Sequence, residues 1–76
     1  MNIFNDIKKE LEFATSAYPS LNSTHEGYAV IKEEVDELWD DVKKSKVCSA
    51  DIYMRKECIQ IAAMAIRFIN DLYEES

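Results

Sequence analysis

The sequence contains very little glycine and proline, and this shortage excludes two classes of protein. With one Gly among 76 residues, the chain cannot build a glycine-rich phosphate-binding loop, whose backbone approaches the anion through several glycines. One Gly and one Pro also argue against an all-β fold, which needs turn residues about every ten positions. The shortage of turn residues therefore predicts an all-α protein.

Histidine and cysteine are scarce as well. One His and two Cys, Cys48 and Cys58, are too few for a disulfide framework or a zinc site. We interpret both cysteines as reduced thiols of a cytoplasmic protein. Charged residues at positions 8–10 interrupt the N-terminal apolar pattern, so we expect no signal peptide. The longest uncharged apolar stretch, residues 58–66, is far short of the roughly 20 residues of a membrane span.

The charge and the apolar content indicate which partners the chain has. A net charge of −6 and a pI near 4.6 disfavour nucleic acid and anionic membranes as partners. Hydrophobic residues make up 47% of the chain, although a domain of this size buries only about 60% of its unfolded surface. This excess of apolar side chains predicts a homo-oligomer, either a dimer or a tetramer.

Apolar spacing predicts three helices in a single domain covering residues 1–76. The first helix covers residues 3–17 and ends before Pro19, because the residue before a proline avoids the α region. Ser23 and Glu26 form a capping box that begins the second helix. The apolar face of that helix is marked by Tyr28, Ile31, Val35, Leu38 and Val42.

The third helix is predicted to begin at a cap on Ser49 or Asp51 and to run to about Glu74. At about 100° per residue, its apolar side chains form two adjacent stripes, and one narrow strip is left polar. The first stripe is Ile52, Ile59, Ala62, Ala63, Ile66, Ile69 and Tyr73, the second is Met54, Cys58, Ile61, Ala65, Phe68 and Leu72, and the polar strip is Tyr53, Lys56, Gln60, Met64, Arg67 and Asp71. A helix this apolar must be enclosed on most sides, so we expect it at the centre of a dimer.

The second helix concentrates negative charge, with six acids in nine residues from Glu33 to Asp41. Glu34 and Glu37 lie one turn apart and point the same way, and Glu57 and Gln60 repeat this spacing on the third helix. If the two helices pack antiparallel, three carboxylates and an amide oxygen face one gap, and such oxygens are the ligands of Mg²⁺. The alternative is a solvated acidic face, which fits Glu57 least because an unpaired buried carboxylate is costly.

The paired motif Glu33-Glu34-x-x-Glu37, nineteen residues, Glu57-x-x-Gln60 resembles the MazG-like, all-α nucleoside triphosphate pyrophosphohydrolases. Their signature is EExxE followed at a distance by ExxD. The stretches HEGYAVIKEEVDELWDDVKK and RKECIQIAAMAIRFIND are similar in particular to compact MazG-like proteins of bacteriophages and prophages. The resemblance covers roughly residues 23–72, and it implies a MazG-like helical bundle in a homo-oligomer.

The resemblance implies that the chain hydrolyses NTPs or dNTPs between the α and β phosphates, giving a nucleoside monophosphate and pyrophosphate. The implied cofactor is Mg²⁺, with Mn²⁺ as an alternative. Glu34, Glu37 and Glu57 match the metal ligands of the family, and Gln60 stands where the family usually has Asp. Because an amide brings no charge, the affinity for metal should fall or one metal be lost. Glu33 matches the residue that would hold an outer-shell water or act as the base.

Two cations flank Gln60 on the third helix. Arg67 lies two turns beyond it and Lys56 one turn before it, positions from which a cationic side chain could bind substrate phosphate. The alternative for each is an ordinary surface cation. The preferred function is therefore a Mg²⁺-dependent pyrophosphohydrolase, and the alternative is a non-catalytic helical dimerisation or regulatory module of MazG-like shape.

Overall fold

A computed structural model describes residues 2–44 and 50–74. The chain forms three helices, α1 (Ile3–Ala17), α2 (Thr24–Lys43) and α3 (Ala50–Leu72), and no described residue belongs to a strand. The predicted all-α fold class is thus confirmed, and the predicted bounds of the first helix coincide with α1. None of the described helices is long and apolar enough to span a membrane.

The residues that end α1 and begin α2 are largely those that the sequence indicates. Tyr18 adopts an extended conformation (φ −130°, ψ 148°) before Pro19 and ends α1. Ser23 is the N-cap of α2, and its hydroxyl accepts a hydrogen bond from the Glu26 N–H at 3.1 Å. The Glu26 carboxylate accepts from the Asn22 N–H at 2.7 Å, one residue earlier than a capping box requires. Both side chains therefore accept hydrogen bonds from backbone N–H groups, although Glu26 pairs with Asn22 and not with Ser23.

The bounds of α3 differ slightly from the prediction. The helix begins at Ala50 and ends at Leu72, two residues before Glu74. Asp51 lies in its first turn, so this residue is not the cap, and Ser49 lies outside the described residues. The N–H groups of Tyr73 and Glu74 both donate to the Ile69 carbonyl, at 2.9 and 3.0 Å, which satisfies an acceptor at the helix end.

Both shorter helices pack on α3, and among the described residues they do not pack on each other. An ion pair of 2.8 Å between Asp6 and Arg55 joins the starts of α1 and α3, so these two helices run parallel. The start of α2 meets the end of α3, because a Cβ on Gly27 would lie 2.7 Å from Phe68 Cε2. The helices α2 and α3 are therefore antiparallel, and Gly27 allows their close approach.

The core is small and lies where α1 and α2 converge on α3. Ala14, Ala63 and Met64 are its buried members. Side chains packed against them come from α1 and α2, and they are Ile7, Leu11, Val30 and Ile31. No large side chain is completely enclosed among the described residues. So small a core fits the expectation that a monomer of this length is only marginally stable.

The two sides of α3 are covered to different extents within the single chain, and its predicted place at the centre of a dimer stays a prediction. Met64 and Arg67 of the polar strip are only 7% and 5% exposed. Ile66, Ile69 and Tyr73, assigned to an enclosed apolar stripe, are 39%, 50% and 67% exposed. The physical reason is that α1 and α2 flank the polar strip and cover its C-terminal part, whereas no described residue packs on the opposite side of α3.

The predicted apolar face of α2 is only half right. Ile31 and Leu38 are half-buried towards α3, whereas Tyr28, Val35 and Val42 are exposed. Trp39 is also exposed and shares their side of the helix. A single neighbour, α3, covers only part of a helix surface, so the remaining apolar stripe of α2 stays open.

Candidate functional site

A cleft of about 430 Å³ lies between α1 and α2, with α3 as its floor. Its walls come from all three helices and from the α1–α2 connection. The lining residues are Glu10, Phe13, Ala14, Tyr18, Pro19, Ser20, Leu21, Asn22, Glu26, Val30, Glu33, Glu34, Gln60, Met64 and Arg67. The volume is in the range of small-molecule sites, about 300–1,000 Å³, so the cleft is a candidate binding site.

Two buried carboxylate oxygens, one on the cleft wall and one on α3 beneath α2, have no hydrogen-bond partner among the described residues. Glu34 Oε2 on α2 and Glu57 Oε1 on α3 are both buried, and neither has a hydrogen-bond partner among the described residues. A buried oxygen that accepts no hydrogen bond lowers the free energy of unfolding, and a domain this small is only marginally stable. Such atoms require a physical explanation, and a bound cation is one that supplies their missing contacts.

Glu57 is the most perturbed of the described carboxyl groups. Its pKa is raised from 4.5 to about 7, chiefly by desolvation, then by a hydrogen bond shared with Asp41 and by the negative charges of Asp41, Glu37 and Glu34. The structure therefore brings side chains of both predicted motifs close enough to interact. Asp41 was not predicted, although it continues the row of Glu34 and Glu37 one turn further along α2, and that spacing could have identified it.

The pKa of Glu34 is also raised, again chiefly by desolvation. The charges of Glu37, Glu33 and Glu10 add to the shift, followed by a hydrogen bond shared with Glu37. Glu10 comes from α1, and it carries no motif that would have marked it. Glu10 joins the acidic cluster only because α1 and α2 both pack on α3. We define the acidic cluster as Glu10, Glu33, Glu34, Glu37, Asp41 and Glu57.

The other predicted ligand positions lie around the same cluster. Gln60 is half-buried and lines the cleft beside Glu33 and Glu34. Glu37 is exposed and acts on Glu57 through its charge. The candidate ligand atoms are oxygens of carboxylates and of one amide, which are the ligands that a hard divalent cation prefers.

The cluster is not a ready-made cage for a metal. Among residues 2–44 and 50–74, no three acidic, His or Cys side chains are grouped so that they could hold one ion. Mg²⁺ typically uses only one or two protein carboxylates, and completes its shell with waters and substrate phosphates. The two unpartnered oxygens of Glu34 and Glu57 fit this sparse mode of binding.

Arg67 is buried and holds the α1–α2 connection. Its Nη2 donates to the Pro19 carbonyl, and its Nε lies 3.5 Å from Asp71 Oδ2. The same Asp71 oxygen accepts from the Leu21 N–H at 2.9 Å. The surface-cation alternative for Arg67 is therefore wrong, because the residue is only 5% exposed. The guanidinium lines the cleft but is already engaged, and Asp71 is a partner that the sequence did not identify.

Lys56 does not line the cleft. It is exposed and belongs to a second depression of about 490 Å³ between the N-terminal halves of α1 and α3. This basic depression is lined by Asp6, Lys9, Glu10, Ile52, Arg55, Lys56 and Ile59. Glu10 lines both spaces, so the depression adjoins the acidic cluster.

Comparison of the chain with family models, curated proteins and solved structures finds no match. The cleft borders an acidic cluster drawn from three helices and, through Glu10, a basic depression. Two carboxylate oxygens of that cluster have no hydrogen-bond partner among the described residues.

Proposed function

We propose that the protein is a MazG-like, Mg²⁺-dependent pyrophosphohydrolase that converts an NTP or dNTP into a nucleoside monophosphate and pyrophosphate. One observation carries the proposal: Glu34 Oε2 and Glu57 Oε1 are buried on facing helices, and neither has a hydrogen-bond partner within residues 2–44 and 50–74. The paired motif of acidic residues, the cleft of about 430 Å³ and the oxygen-only donor set agree with it.

A divalent cation would relieve the crowding of negative charge. The raised pKa values of Glu34 and Glu57 come from desolvation and from neighbouring carboxylates, so their charged forms are disfavoured in the absence of a counter-ion. A cation at this position favours both carboxylates in the charged form. It would therefore bind the folded chain preferentially and stabilise it by mass action.

In this mechanism the residues of the chain position the reactants. Glu34 and Glu57 would ligate the cation directly, and Glu37 and Gln60 would complete its surroundings through their oxygens or through water. When bound, Mg²⁺ supplies neutralisation of phosphate charge and a lower pKa for a bound water. Glu33 lies on the cleft wall, where its carboxylate can orient a water and accept its proton.

We also propose that the chain works as a homo-oligomer, in which a second copy covers the exposed apolar face. That face comprises Tyr28, Val35, Trp39 and Val42 of α2 with Ile66, Ile69 and Tyr73 of α3, all exposed and none lining the cleft. An apolar surface of this kind on a short chain marks an interaction site. Because the cleft lies on the other side of α3, pairing would leave it open to substrate.

The test is a panel of NTPs and dNTPs with Mg²⁺ or Mn²⁺, in which pyrophosphate and orthophosphate are measured separately. We expect pyrophosphate as the product, and a fall in kcat/KM of at least about 100-fold in Glu34→Gln and Glu57→Gln. Glu12→Gln is the matched control, because Glu12 is an exposed acid on α1 outside the cleft. Folded variants of Glu34 and Glu57 with full activity would contradict the proposed site.

The second candidate function is a non-catalytic dimerisation or regulatory module of the same shape. The exposed apolar face favours it, since that face needs a partner whether or not the cleft is catalytic. A chain that self-associates but releases no pyrophosphate from any nucleotide, with either metal, would support the module and reject the hydrolase.

A further inference from the structure

The cleft and the basic depression both lie along α3, so the rise of this helix gives the distance between them. Side chains from Arg67 through Met64 and Gln60 to Lys56 successively line these two spaces. With a rise of about 1.5 Å per residue, the level of Gln60 is about 10 Å from that of Arg67 and about 6 Å from that of Lys56. Gln60, which lines the cleft with Glu33 and Glu34, therefore lies between two ends of different chemistry.

One end of the cleft is apolar and held in place. Phe13, Tyr18 and Leu21 supply apolar surface there, and Asn22 supplies polar groups. The hydrogen bond from Arg67 to the Pro19 carbonyl fixes this wall from beneath. Flat apolar surface with a few polar groups suits a nucleobase, which has two faces to stack and an edge to hydrogen-bond.

The other end, beyond Gln60 along α3, is basic. Lys9 and Lys56 both line the depression, and neither has an ion-pair partner among the described residues. Arg55 in the same depression is already paired with Asp6 at 2.8 Å. In a chain of net charge −6, two unpaired ammonium groups from different helices that share one concave surface next to the acidic cluster suit an anion.

We propose that Lys9 of α1 and Lys56 of α3 bind the terminal phosphates of the triphosphate, with the base at the end formed by Tyr18 and Asn22. This inference rests on the proposed function, because it orients the substrate of that reaction. Arg67 is then a positioning residue that acts through the α1–α2 connection, and the two lysines take the phosphate contacts.

In the proposed reaction these lysines would act on the leaving group. The oxygen of water forms a bond to the α phosphorus, and the bond from that phosphorus to the α–β bridging oxygen breaks. The bridging oxygen keeps the electron pair and leaves as part of pyrophosphate. One proton of the water passes to the Glu33 carboxylate and then to solvent, and the other stays on the attacking oxygen, which becomes a phosphate oxygen of the monophosphate. Negative charge thus accumulates on the departing pyrophosphate, where Lys9 and Lys56 stabilise it electrostatically.

The test measures binding of inorganic pyrophosphate with Mg²⁺ by titration calorimetry at fixed ionic strength. The test variant carries both Lys9→Met and Lys56→Met. The control variant carries both Lys8→Met and Lys44→Met, which remove the same charge from exposed lysines outside both spaces. We expect the first pair to weaken pyrophosphate binding about tenfold and the second less than about twofold. Affinity for a nucleoside monophosphate should be nearly unchanged in both, and Lys9→Arg with Lys56→Arg should retain pyrophosphate binding.

The outcomes separate this inference from the proposed function. Equal pyrophosphate affinity in the two Met variants overturns the inference, even if the chain hydrolyses nucleotides. An equal loss of monophosphate binding also overturns it, because a general loss of positive charge would then explain the result. If no nucleotide is hydrolysed and the tenfold loss is nevertheless found, the anion site stands and the hydrolase fails. Circular dichroism establishes that every variant is folded.

Discussion

In α3 the more polar side is covered by other helices, and the more apolar side is exposed. The side that faces α1 and α2 carries Gln60 and Arg67, whereas the side without a neighbour carries Ile66 and Ile69. Polar groups are buried at a cost unless each finds a partner. Arg67 has such partners, but Glu34 and Glu57 each keep one oxygen without any among the described residues. The covered side therefore holds the candidate site, and the open side carries the apolar face that we propose a second copy covers.

The largest expected effect on stability is the loss of Arg67 on the covered side. Arg67→Met leaves Asp71 largely buried without its cation and the Pro19 carbonyl without its donor. Breaking a buried ion pair costs about 3–5 kcal/mol, enough to unfold much of a domain this small. Arg55→Met breaks the half-exposed pair with Asp6 and should cost less than about 1 kcal/mol. Urea denaturation of both variants measures the difference, and equal losses would contradict the assignment of Arg67.

The next effect concerns the closest approach of two helices. A Cβ at position 27 would meet the ring of Phe68, and overpacking of this kind costs about 1–3 kcal/mol. Higher helix propensity offsets about 1 kcal/mol of that cost, so Gly27→Ala should still lower the free energy of unfolding. Adding Phe68→Leu should recover part of the loss. Thermal melting checks both, and a Gly27→Ala chain that melts higher than the parent would show that Phe68 moves aside freely.

A smaller effect is the dependence of stability on pH. The folded-state pKa of Glu57 is about 7 against an ordinary 4.5, so between these values the folded chain binds more protons than the unfolded chain. The contribution of Glu57 to stability is therefore greatest below about pH 4.5, and it declines as the pH rises through about 7. Glu57→Gln should flatten this decline, as should millimolar Mg²⁺ if it binds there. Denaturation at a series of pH values, with Glu12→Gln as control, measures it.

The smallest effect on the stability of the single chain is expected on the open side. Ile69→Lys places a charge on a residue that is half exposed in the monomer, so the free energy of unfolding at high dilution should change by no more than about 0.5 kcal/mol. The same charge would be buried in a pair of chains, so sedimentation should show a monomer where the parent self-associates. Lys8→Met is the control. An oligomer that survives Ile69→Lys would place the interface elsewhere.

Much of the secondary structure could be predicted because its signals are local. Pro19 fixes the end of α1, and the Ser23 hydroxyl caps α2. Local spacing also indicated that Glu34 and Glu37 point the same way, and the charges of both act on Glu57 in the folded chain. The roles of these residues as metal ligands stay predictions, since they depend on a cation and on turnover.

The remainder could not be predicted because it depends on how the helices pack. Periodicity places Arg67 in a polar strip, but it does not show that two other helices will cover that strip. Glu10 belongs to the acidic cluster only because α1 and α2 both pack on α3. Lys56 similarly shares a depression with Lys9, a pairing between residues far apart in the sequence.

By itself, then, the sequence determined three helices, their main boundaries and the concentration of acids on α2, because hydrogen bonding, capping and side-chain periodicity act over a few residues. The tertiary structure alone decided which side of α3 is covered, since that depends on where α1 and α2 find room to pack. It also decided that one oxygen of Glu34 and one of Glu57 are buried without a hydrogen-bond partner in the part of the chain that the structure describes. Burial and electrostatic coupling are properties of neighbours in space, and the order of residues along a chain does not specify them directly.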